Sequence, residues 1–177
     1  MIAASELIYH LPRLTGLTEA TVRGVYRRLN EAGILPVSHG AKIKKLNNYH
    51  VVILILALLV DAPVKDSATA ACAYYSLVDE NGNKVGDVLA NILDSFRSVN
   101  DTAGLAYKSR VEVDCDTPRV SITSECNEGN AETLYGLRSK PWSDIRVRRS
   151  MTISGKVLFE LAMGVHFNRW PATAEIA

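Results

Sequence analysis

The segment VVILILALLV, residues 51–60, is apolar at every position. It is about half of the ~20 residues that a helix needs to cross a bilayer, so a buried helix is the better interpretation. Asn47 or Asn48 can cap this helix, which we expect to continue through Leu59. Because the helix is apolar on every face, a small helical head alone cannot cover it. A second domain or a second subunit must therefore pack against it.

Length and composition limit the number of domains. The chain has 177 residues, of which 47% are hydrophobic, and this is enough for one or two small folded domains. The composition of DAPVKDSATA predicts a linker at residues 61–70, between a domain at residues 1–60 and another at residues 71–177. No secretion signal is found near the N-terminus, and the cysteines (Cys72, Cys115 and Cys126) are odd in number and widely spaced. Both observations predict a cytoplasmic location.

The first domain is predicted to contain a helix-turn-helix. A first amphipathic helix ends before Gly16, which supplies the turn. Thr18 can cap a second helix from Glu19 to about Asn30, and Gly33 is suited to the position just after that helix. The basic segment VSHGAKIKK, residues 37–45, is typical of a short two-stranded wing.

The second helix has two different faces. On a helical wheel its apolar residues (Val22, Val25, Tyr26 and Leu29) lie opposite a second group (Ala20, Arg23, Gly24, Arg27 and Glu31). An interior glycine costs about 1 kcal/mol relative to alanine, so Gly24 predicts the close approach of an external body. Arg23 and Arg27 can donate to phosphates or to guanine O6 and N7. This pattern is typical of a recognition helix in a DNA major groove, and an ordinary surface helix is the alternative.

The second domain is predicted to be a small α+β unit. Either residues 68–77 form a helix, or residues 73–79 and 84–88 form a hairpin around Asn81-Gly82, and we favour the helix. A helix follows at residues 87–99, and then a loop at residues 100–104. The remaining predicted elements are a hairpin whose inward residues are Val111, Val113, Val120 and Ile122, a strand at residues 143–150 and a final helix at residues 154–167.

Charge is unevenly distributed along the chain. Residues 1–48 contain seven basic and three acidic side chains, which gives a net charge of +4. Residues 61–136 contain six basic and thirteen acidic side chains, which gives −7, and residues 138–149 are basic again. A basic N-terminal module beside an acidic middle favours a polyanionic partner at one end and a different partner at the other.

A family resemblance rests on LTGLTEATVRGVYRRLNEAGILP, residues 14–36, followed by the basic wing and the apolar helix. This region resembles the winged-helix head of MerR-like DNA-binding proteins, in which a pattern close to TG-x-x-x-x-T-[VIL]-R … L … GL-x-P recurs. The matching residues are Thr15, Gly16, Thr21, Val22, Arg23, Leu29, Gly33, Ile34 and Pro36. The resemblance covers residues 5 to about 60, a third of the chain. It implies that Arg23, Arg27 and Arg28 contact DNA from the second helix, and that Lys42, Lys44 and Lys45 contact it from the wing. Thr21 and Gly24 complete the predicted DNA-binding set.

These patterns together predict an α+β fold, in which a winged helix-turn-helix domain precedes a domain with antiparallel strands and a C-terminal helix. The predicted function is sequence-specific binding of double-stranded DNA, as a transcriptional regulator that forms a homodimer or a higher homo-oligomer. A recognition protein of phage DNA packaging, similar to a small terminase subunit, is one alternative, and a non-enzymatic protein-interaction module is another.

Catalysis, a metal, a cofactor and a membrane partner are not expected. No nucleophile with a matching base can be assembled, and the histidines and cysteines lack metal-ligand spacing. Glu112, Asp114 and Asp116 share one face of a predicted strand. They could bind a cation, but we favour the interpretation that they form the water-exposed side of the sheet.

Overall fold

A computed structural model of the chain describes residues 1–36, 45–97, 101–126, 129–136, 149–167 and 169–170. Its helices are α1 (Ala4–Thr15), α2 (Glu19–Glu31), α3 (Asn48–Leu59), α4 (Ser67–Tyr75), α5 (Val85–Ser95), α6 (Asp101–Tyr107) and α7 (Gly155–Phe167). Its strands are β1 (Ile2–Ala3), β2 (Lys45–Leu46), β3 (Arg110–Asp114), β4 (Arg119–Cys126), β5 (Gly129–Gly136) and β6 (Ser150–Ser154). Both described sheets are antiparallel, so the predicted α+β class is confirmed.

Helix α1 ends just before Gly16, as predicted, and α2 begins at Glu19 and ends one residue after the predicted end. Thr18 caps α2 by accepting a hydrogen bond from the backbone N–H of Thr21 at 3.2 Å. Gly16, with φ 72°, makes the turn between α1 and α2, and Gly33, with φ 70°, follows α2. Both values lie in the left-handed region that glycine adopts without steric cost. The predicted wing lies mostly outside the described residues, and its last residue, Lys45, pairs with Ala3 in the sheet of β1 and β2.

The apolar helix α3 is covered by the chain itself. Asn47 caps it, in a reciprocal arrangement with the side chain of His50. Every residue from Val51 to Val60 is buried, because α2, α4 and α5 pack around the helix. The sequence allowed the helix to be covered by a second domain of the same chain or by a second subunit, and in the structure the same chain covers it. The apolar run therefore gives no argument for a second subunit.

The predicted linker at residues 61–70 packs against both predicted domains. Residues 64–66 form a 3-10 turn against α2, and Ser67, which begins α4, is fully buried. The helix that we favoured at residues 68–77 is confirmed as α4. The Asn81-Gly82 turn is present as well, and it brings Val78 and Lys84 together in a β-bridge. Side chains from residues 1–60 and from residues 71–165 thus belong to one continuous core.

Two predictions for the middle of the chain were wrong in detail. Helix α5 ends at Ser95, before the predicted end at residue 99, and the predicted loop at residues 100–104 lies largely within α6. Helix α6 packs between α5 and α7 and buries Ala106. These tertiary contacts outweigh a weak local helical signal.

The larger described sheet has the strand order β5-β4-β3-β6. The predicted hairpin is confirmed as β3 and β4, and the final predicted helix is confirmed as α7. The predicted strand at residues 143–150 lies outside the described residues except at its end, where β6 begins. Strand β5 had no counterpart among the predicted elements, because it buries only Tyr135 and shows no alternation of polar and apolar residues.

Asp114 corrects the interpretation of the acidic strand face. Asp114 is buried, with only 2% of its surface exposed. Its carboxylate accepts hydrogen bonds from the backbone N–H groups of Asp116 and Thr117 at 3.0 and 3.2 Å. The carboxylate stabilises the β3–β4 turn rather than facing water. The hydroxyl of Tyr74, in α4, donates to the carbonyl of Asp114 at 2.6 Å and so attaches the helices to this turn.

Candidate nucleic-acid interface

Helix α2 presents the predicted pair of arginines to solvent. Val22, Val25 and Leu29 are buried on its inner face, as the helical wheel predicts. On the opposite face the side chains of Arg23 and Arg27 are 65% and 81% exposed. Their exposure confirms the predicted orientation of the helix. The two guanidinium groups lie one helical turn apart and can reach an external partner from this side.

Each arginine of α2 pairs with a glutamate of the same helix. Arg23 donates to Glu19 at 2.6 Å, and Arg27 and Arg28 donate to Glu31 at 2.8 and 2.6 Å. The hydrogen bonds from Arg27 and Arg28 lower the pKa of Glu31 below its usual value. Exposed pairs of this kind contribute only about 0.3–0.5 kcal/mol each. The arginines can therefore exchange their glutamate partners for phosphate or guanine at little cost.

Gly24 has a neighbour within the chain. A Cβ atom built on Gly24 would lie 3.5 Å from Cγ1 of Val64, in the 3-10 turn at residues 64–66. The same turn accepts a hydrogen bond from Arg28 to the carbonyl of Lys65 at 3.2 Å. The body that approaches the backbone at Gly24 is thus this turn, on one flank of α2. The open part of the helix surface lies toward Arg23 and Arg27.

Replacing Gly24 with alanine is expected to stabilise the fold by about 0.5–1 kcal/mol. The added methyl group meets Val64 at an ordinary contact distance, while the unfolded chain loses conformational freedom. Urea unfolding of the variant measures the effect. Ala20→Gly, one turn earlier on the same face, serves as the opposite substitution and should lower the free energy of unfolding. A loss of stability in Gly24→Ala would contradict this packing.

The other predicted DNA contacts are partly described. Thr21 is exposed, and its hydroxyl lies 2.9 Å from that of Thr18, in the first turn of α2. Lys45 is exposed on β2. Lys42 and Lys44 lie outside the described residues. Sequence reasoning did not identify Lys65 as a neighbour of α2, and no local pattern could have done so, because the two segments meet only through tertiary packing.

Two histidines of the described region, His10 and His166, are held by contacts within the protein. His10 stacks on Trp170 with ring centroids 4.0 Å apart, and burial lowers its pKa. His166 lies 3.0 Å from the carbonyl of Leu93, and burial lowers its pKa as well. Within the described ranges, no three His, Cys, Asp or Glu side chains are grouped so that they could hold a metal ion.

Comparison of the chain with protein-family models, with curated proteins and with solved structures found no match. In the part of the chain that the structure describes, no helix has the length and apolar content required to cross a membrane. The geometry of α1, α2 and the surface around them is therefore the basis on which function can be inferred.

Proposed function

We propose that this chain binds double-stranded DNA in a sequence-specific manner through α2, as a transcriptional regulator. The observation that carries the proposal is the exposed pair Arg23 and Arg27 on α2, the second of two helices joined by a short turn at Gly16. In DNA-binding helix-turn-helix units the second helix enters the major groove, where arginine donates to the O6 and N7 atoms of guanine.

The surroundings of α2 support the same interface. Arg28 and Lys65 lie on one flank and suit contacts to phosphates, which position a protein without reading sequence. The acidic residues concentrate in residues 61–136, so the basic N-terminal part is the end that would attract a polyanion. A regulator also needs a second region for assembly or partners, and the sheet with α7 supplies a separate surface for this role.

The first test is selection of bound sequences from a random duplex pool, followed by fluorescence anisotropy on the enriched duplex. We expect Arg23→Ala combined with Arg27→Ala to weaken binding of the enriched duplex at least about tenfold, because each base contact contributes about 1–3 kcal/mol. Binding of a scrambled duplex should change much less. Lys45→Ala should weaken binding of both duplexes alike. It should also reduce the number of counterions released on binding, measured from the salt dependence of the affinity, by about one.

Arg97→Ala is the matched control for this test. Arg97 is 62% exposed and pairs with Asp94 at 3.4 Å, so it resembles Arg23 in exposure and pairing but lies just after the end of α5. Its replacement should leave DNA affinity unchanged. The proposal fails if no duplex binds at about 50 mM salt, where phosphate contacts are strong. It also fails if Arg97→Ala weakens binding as much as the α2 variant does.

A further inference from the structure

A cleft of about 580 Å³ lies between the outer edge of β5 and the turn that follows α4. Its walls are residues 132–136 on one side and residues 78–81 on the other. None of these residues belongs to α2 or to its neighbouring turn. The cleft is therefore a feature separate from the proposed DNA interface.

Among the described residues, the sheet edge along this cleft has room for a further strand. Strand β5 is a terminal strand, paired only with β4 among the described strands. At one end the N–H of Gly136 donates to the carbonyl of Val78 at 3.0 Å, so Val78 already continues the sheet beyond β5. Backbone groups alternate in direction along a strand, so those of Leu134 and Glu132 point the same way as those of Gly136. The described residues supply no backbone partner for them.

The described lining of the cleft is negatively charged. Asp79, Glu80 and Glu132 line it, and no basic side chain is among its described lining residues. The carboxylate of Asp79 accepts hydrogen bonds from the backbone N–H groups of Asn81 and Asn83 at 2.9 and 2.8 Å. These bonds, with one from the side chain of Asn83, lower the pKa of Asp79, so it is ionised at neutral pH.

Tyr135 adds a hydrogen-bonding group to the lining of the cleft. The residue lines the cleft although it is only 3% exposed, and its hydroxyl has no hydrogen-bond partner among the described residues. Burial and the charge of Asp79 raise its pKa, so the hydroxyl carries its proton at neutral pH. The hydroxyl oxygen itself is partly accessible. A backbone carbonyl entering the cleft would provide an acceptor.

We infer that this cleft binds an extended, cationic peptide segment of a partner protein, which adds to the edge of β5 in line with Val78. The backbone of the segment pairs with Glu132 and Leu134, as in other cases of strand addition to a sheet edge. Its lysine or arginine side chains meet Asp79 and Glu132. The exposed side chains of Val78 and Leu134 supply apolar contact beside these charges.

The probe for this inference is a fluorescein-labelled peptide of alternating threonine and lysine, titrated with the full chain and followed by anisotropy. The same peptide with N-methyl groups on alternate residues cannot pair fully with a strand edge, and we expect it to bind at least about tenfold more weakly. A peptide of alternating threonine and glutamate should not bind. Absence of binding by the lysine peptide, or equal binding by its methylated form, would overturn the inference.

Two charge reversals locate the binding surface. Glu132→Lys should weaken binding of the lysine peptide about fivefold or more, because it places a like charge in the cleft. Glu125→Lys is the matched control, since Glu125 is exposed on the neighbouring strand β4 and does not line the cleft. Both variants are expected to keep the pairing of β4 with β5, and circular dichroism checks their folding. If the two variants lose affinity for the lysine peptide equally, the attraction is a general effect of charge, and the cleft is not the binding site.

Discussion

Gly155→Ala is expected to lower the free energy of unfolding by about 3 kcal/mol. Gly155 begins α7 at the point where this helix meets the end of α6, and its N–H donates to the carbonyl of Ser109 at 2.7 Å. A Cβ atom at this position would overlap the backbone carbonyl oxygens of Ala106 and Tyr107. Backbone atoms cannot turn away as a flexible side chain can, so the two helices would have to separate.

Gly104→Ala is the control for this substitution. Gly104 lies inside α6, and a Cβ atom there would meet nothing within 4 Å. The replacement should therefore stabilise the protein by about 0.5–1 kcal/mol through the higher helix propensity of alanine. Urea unfolding of both variants gives the comparison. A Gly155→Ala protein as stable as the unsubstituted chain would contradict the close approach of α6 and α7.

Leu54→Ala is expected to cost about 3 kcal/mol, the usual range for removing a fully buried leucine side chain being about 2–5 kcal/mol. Leu54 is fully buried in α3, within the core formed by α2, α4 and α5. Because these contacts lie within one chain, the loss should be the same in dilute and in concentrated protein. Urea unfolding at two protein concentrations a hundredfold apart measures this.

The control for Leu54→Ala is an exposed leucine. Leu105 is 45% exposed on α6, so Leu105→Ala should change the free energy of unfolding by no more than about 0.5 kcal/mol. A cost of Leu54→Ala that grows with dilution would indicate that a second subunit helps to cover α3. In that case the apolar run would again support an oligomer.

The candidate interface could be predicted in part. The helical wheel placed Arg23 and Arg27 on the exposed face of α2, because the side-chain direction in a helix depends only on residue spacing. The same spacing brings Glu19 and Glu31 to these arginines, four residues away in each case, yet charge counting alone did not reveal those pairs. The neighbour of Gly24 could not be predicted, since Val64 is distant in sequence.

The sequence by itself determined the elements whose signals are local. Thr18 and Asn47 cap their helices through groups three residues away, and Gly16 turns the chain through its own backbone freedom. The tertiary structure alone decided what covers α3, why α6 is helical and where β5 pairs. These features depend on contacts between residues far apart in the chain, and such contacts form only when all the apolar surfaces are packed together.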